Sequence, residues 1–124
     1  MLIIEEQDIY LTRGDDVTLE FDLTMGEGYI YTMDAGDQLI FTVRALPSRE
    51  SEVLVSVPGA PGSNVIVLRH ADTVALEVGR YSADCQLVTA EGRIHTVWPE
   101  PEGSGRYRER NFKNFVLMPE VTIP

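Results

Sequence analysis

DVTLEFDLT, residues 16–24, alternates without a break. Val17, Leu19, Phe21 and Leu23 fall on one side of an extended chain, and Thr18, Glu20, Asp22 and Thr24 on the other. A side-chain period of two marks a half-buried β-strand. Residues 38–45 repeat it with Leu39, Phe41, Val43 and Ala45 inward, and residues 80–89 with Tyr81, Ala83, Cys85 and Leu87 inward. Shorter runs at 9–11, 52–57, 64–68, 93–98 and 114–118 bring the strand candidates to about eight.

Turn residues separate these runs. Arg13-Gly14-Asp15, Gly26 to Gly28, Asp34 to Gly36, Pro58 to Gly62 and Glu91-Gly92 all have the conformational freedom or side-chain acceptors of tight turns. Ala90-Glu91-Gly92-Arg93 lies between two alternating runs, so residues 80–98 are predicted as a hairpin. No segment carries an apolar 3.6-residue stripe over three turns. The one helical hint is 71–77, where Asp72 or Thr73 suits the cap of a single turn. The Gly-Asp entry to 14–21 is echoed at 36–43, as expected of any two antiparallel strands launched by tight turns. In Leu76-x-x-Gly79-x-Tyr81 a tyrosine near the start of a late strand follows a sharp corner, as in Greek-key sandwiches where its hydroxyl bonds back to that corner. The expected fold is therefore all-β: an immunoglobulin-like, two-sheet antiparallel sandwich filling one domain, residues 1–124. An SH3-like or OB barrel is the alternative. Pro119 and Pro124 predict a last strand at a sheet edge.

A chain of 124 residues with 44% hydrophobic residues buries roughly two-thirds of its unfolded surface without help from metals or disulfides. Formal net charge is −10, from 20 acidic and 10 basic residues. That balance argues against nucleic acid and against anionic membranes, and it leaves room for a basic partner. The stretch MLIIEEQDIYL has no positive region ahead of its apolar residues and does not read as a secretory signal. One cysteine cannot make an internal bridge, so a cytoplasm, or an assembly built in one, is the expected setting.

The chemistry of catalysis finds little purchase. Cys85 shares its strand face with Ala83 and Leu87, so a structural role is expected. His70 and His95 with one cysteine do not complete a zinc site. Asp15, Asp16, Asp34 and Asp37 lie in turns that a calcium site could use, but the D-x-D-x-D-G spacing is missing, and turn aspartates ordinarily bond their own backbone. Arg13-Gly14-Asp15 matches an integrin-read tripeptide, as a Gly-Asp turn does by chance. No catalytic residue, metal or cofactor is expected, and an enzyme is the third-ranked reading.

The most unusual stretch is 99–113, PEPEGSGRYRERNFK. It opens as a Pro- and Gly-rich loop and then carries Arg106, Arg108, Arg110 and Lys113. On a strand the three arginines share one face. They read either as a docking stripe for an acidic surface, another copy of this chain included, or as charges that keep an edge strand from pairing. Tyr29, Tyr31 and Tyr107 would add aromatic contacts.

Taken in order, Ile9-x-Leu11-x-Arg13-Gly14-Asp15, then Gly36-Asp37 into a strand, then Asp72-Thr73-x-x-Leu76-x-x-Gly79-x-Tyr81-x-x-Asp84, then a Glu91-Gly92 turn into His95-Thr96-Val97, and last Phe115 with Glu120-Val121-Thr122, form a pattern. It resembles the N-terminal immunoglobulin-like domains of tailed-phage baseplate upper proteins and similar small prophage proteins of Gram-positive bacteria. The resemblance covers most of the chain and implies a non-enzymatic virion or baseplate module. Such a module attaches to other tail proteins, or to itself in a symmetric oligomer, and is cytoplasmic until assembled. Residues 99–113 are longer than that pattern leads one to expect, and the family continues into a longer C-terminal region. It offers no fixed contact motif, so the contact residues expected here are Arg106, Arg108 and Arg110. The alternative function is a carbohydrate-binding sandwich with Trp98 or the tyrosines on an open face.

Overall fold

The computed structural model of the chain describes residues 1–5, 8–25, 29–46, 50–99 and 114–120. Within them, the strands are β1 (Leu2–Glu5), β2 (Asp8–Thr12), β3 (Val17–Glu20), β4 (Thr24–Met25), β5 (Tyr29–Ile30), β6 (Gln38–Arg44), β7 (Val53–Pro58), β8 (Val65–Leu68), β9 (Gly79–Val88), β10 (Ile94–Trp98) and β11 (Phe115–Met118), with one helical turn, α1 (His70–Thr73). The large sheet runs β1-β2-β11-β9-β6-β7, with β10 also paired to β9. The β3–β8 pair forms the second layer, and β4–β5 is a two-residue ladder. This is an all-β sandwich, as the period-two pattern predicts.

Alternation explains the packing. In β6, Leu39, Phe41 and Val43 are fully buried, while Gln38, Ile40, Thr42 and Arg44 are half-buried on the outer face. Leu19 of β3 and Ile66 and Leu68 of β8 face them from the other layer. Full burial of side chains this size contributes about 1.5–3 kcal/mol each. Phe41 is the hub: its ring centroid lies 6.3 Å from Phe21, 6.0 Å from Trp98 and 5.9 Å from Phe115.

Strand length follows from available partners. The alternation of 16–24 persists in burial through Phe21 and Leu23, but pairing stops at Glu20, because β8 begins at Val65, its partner. Phe21 makes one more bond, to the Asn64 carbonyl, and Asn64 Nδ2 donates back to the Phe21 carbonyl. Ala45, expected inward, is exposed, since the β6–β7 register slips between Val43 and Arg44. The two Gly-Asp entries lead into different sheets, Gly14-Asp15 into β3 and Gly36-Asp37 into β6.

The hairpin over 80–98 forms as predicted, with Thr89 N–H donating to the Arg93 carbonyl and Gly92 at φ +84° closing the turn. The helical turn begins at His70, and Asp72 caps it from inside, accepting from Arg69 N–H at 2.7 Å. Tyr81 Oη donates to the Glu77 carbonyl at 2.6 Å, the corner bond expected from Leu76-x-x-Gly79-x-Tyr81.

The expected edge position of the last strand is wrong. β11 lies inside the large sheet, parallel to β2 on one side and antiparallel to β9 on the other. Pro119 comes one residue after the strand ends, so residues 115–118 keep every N–H the two ladders use.

Candidate functional site

β10 and β11 share one lane along β9. Ile94, His95, Thr96 and Trp98 oppose Val88, Leu87, Gln86 and Cys85, and then Phe115, Val116 and Leu117 oppose Tyr81, Arg80 and Gly79. Both half-strands run antiparallel to β9, so the second continues the direction of the first. Between them, among the described residues, β9 has no strand neighbour on that side at residues 82–84. Asn114 closes the gap. Its Oδ1 accepts from Ala83 N–H at 2.8 Å, and its Nδ2 donates to the Ala83 carbonyl at 3.0 Å, so a side-chain amide imitates a strand partner. The Asn114 carbonyl in turn accepts from Ile9 N–H of β2 at 2.7 Å. Asp8, next to Ile9, keeps one buried carboxylate oxygen, Oδ1, without a hydrogen-bond partner among the described residues.

The described part of the lane ends at Trp98 and resumes at Asn114, and both of these anchors are buried. The intervening stretch carries the expected contact residues. Arg106, Arg108 and Arg110, with Tyr107 and Lys113, lie outside the described residues, as does the side chain of Tyr29.

The other candidate groups are committed to the fold. Trp98, the expected sugar platform, is 8% exposed and stacked on Phe41. Cys85 is fully buried among apolar neighbours, and burial, followed by the Asp84 charge, pushes its thiol up to about 12. Arg13 of the Arg-Gly-Asp tripeptide pairs with Glu120 through Nε at 3.2 Å and Nη2 at 2.9 Å, and its Nη1 donates to the Leu76 carbonyl. His70 Nδ1 lies 2.7 Å from the Gly14 carbonyl, and the His70 backbone N–H donates to Asp16 Oδ1. Gly14 N–H donates to Thr73 Oγ1. These bonds latch the β2–β3 turn to the segment around α1. His95 is half-buried on β10. Among the described residues, no group of three or more His, Cys, Asp or Glu side chains gathers as a metal centre requires, and no helix is long and apolar enough to cross a membrane.

Asp37 holds the opposite end together. Buried at 2% exposure, its Oδ2 accepts from Tyr31 Oη and Asp34 N–H, and its Oδ1 accepts from Ala90 N–H in the β9–β10 turn. The turns are close enough that a Cβ on Gly36 would stand 2.6 Å from Ala90 Cβ. The bond to Tyr31, then those to Asp34 and Ala90, hold the Asp37 carboxyl below the usual carboxylate range, and the same bond pushes Tyr31 up to about 12. Sequence spacing marks Asp37 only as a turn residue. Its contacts with Tyr31 and Ala90 come from tertiary packing.

Asp37 fixes the sign of the acid response. A folded-state pKa below the unfolded one contributes stability that is complete above the unfolded value, about 3.9, and is lost as pH falls through the folded value. Glu120, held low by Arg13, acts the same way. Asp84 acts oppositely, because burial raises its pKa and protonation relieves that cost. Denaturation midpoints taken from pH 6 down to about pH 2 should fall, and Asp37→Asn should flatten the decline. An unchanged slope in that variant would contradict the role given to Asp37.

Comparison of the chain with protein-family models, with curated proteins and with solved structures finds no match in any of the three.

Proposed function

We propose that this chain is a non-enzymatic interaction module of the phage or prophage structural kind, an immunoglobulin-like sandwich that docks on neighbouring virion proteins or on itself. The observation that carries this reading is the interrupted lane. A domain of net charge −10 carries, between two buried anchors in the middle of its large sheet, a stretch with four of its 10 basic residues. The immunoglobulin-like part is supported by the β3–β8 second layer, by β2 and β11 running parallel beside an otherwise antiparallel sheet, and by the Tyr81 corner bond. The carbohydrate reading loses its tryptophan to the core.

Light scattering after size exclusion, repeated over a range of salt, tests the proposal together with Arg106→Gln, Arg108→Gln and Arg110→Gln combined. Arginine-to-carboxylate docking weakens as salt screens it. The expected result is partner binding or self-association that falls with salt and is lost in the triple variant. Association indifferent to all three changes would remove these residues as contacts. Flanking genes for tail, lysin or holin proteins would support the virion assignment, and metabolic neighbours would undermine it.

A further inference from the structure

We draw no further inference here: the strongest candidate, the apolar β1 edge of the large sheet with Ile3 and Ile4 exposed, carries none, because nothing in the structure shows what covers it.

Discussion

Asn114→Ala should lower the unfolding free energy by about 2–5 kcal/mol. The variant deletes both bonds that the amide makes to Ala83 at 2.8 and 3.0 Å and leaves that residue's N–H and C=O buried without partners. Each orphaned buried group costs about 1–3 kcal/mol. In a chain this size the melting temperature should drop by about 10–20 °C. Asn114→Asp is informative beside it, because it keeps the acceptor for Ala83 N–H, loses the donor to the carbonyl and introduces a buried charge. It should be at least as harmful at neutral pH and recover in part as the carboxyl is protonated. Asn64→Ala, which removes one bond to Phe21 from a half-buried amide, should cost clearly less. Denaturant titration gives the free energies, and exchange of the Ala83 amide reports the site itself. A loss below about 1 kcal/mol for Asn114→Ala would mean that water or a shifted backbone fills the gap instead.

Phe41→Ala should cost about 3–5 kcal/mol, the range for deleting a fully buried aromatic ring. The position is sensitive because its ring touches three others that come from separate parts of the chain. Phe21 follows β3, Trp98 ends β10 and Phe115 begins β11. The ring thus joins the two layers and also both halves of the divided lane. With a urea slope of about 1–3 kcal/mol/M, the midpoint should move by roughly 2 M or leave no folded baseline. Phe41→Leu keeps most of the volume and should cost less than half as much. Tryptophan emission should shift to the red in the alanine variant as Trp98 loses the ring stacked on it. An unshifted spectrum would place the rearrangement elsewhere.

The sequence announces what is local and repeated. Leu39, Phe41 and Val43, or Ala83, Cys85 and Leu87, declare strand and inward face together, because burial on alternate residues is read directly from composition. The 80–98 hairpin and the Tyr81 corner are legible for a similar reason, each depending on residues close in sequence. What escapes depends on pairing across distance. Residues 2–4 form a strand because Leu11, Tyr10 and Ile9 lie opposite them, although three apolar residues before two glutamates carry no alternation of their own. β11 sits in the interior because β2 and β9 both accept it, which a proline one residue past its end cannot foretell. Asn114 reads as an ordinary polar residue at the start of a run, and Asp37 as an ordinary turn residue. Their importance arises from backbone groups 31 and 53 residues away. The expected contact residues rest on charge alone, since they lie outside the described residues.

The shared lane also bears on how such a chain diversifies. Trp98 opposite Cys85 and Phe115 opposite Tyr81 fix two points four β9 residues apart, about 13 Å along that strand. Each point is secured by its own ladder and by the core. Closing a longer connection between such points adds only about 0.6 kcal/mol per doubling of its length. The scaffold is thus tolerant of insertion between these two points, and new specificities can be grafted there without redesigning the framework beneath.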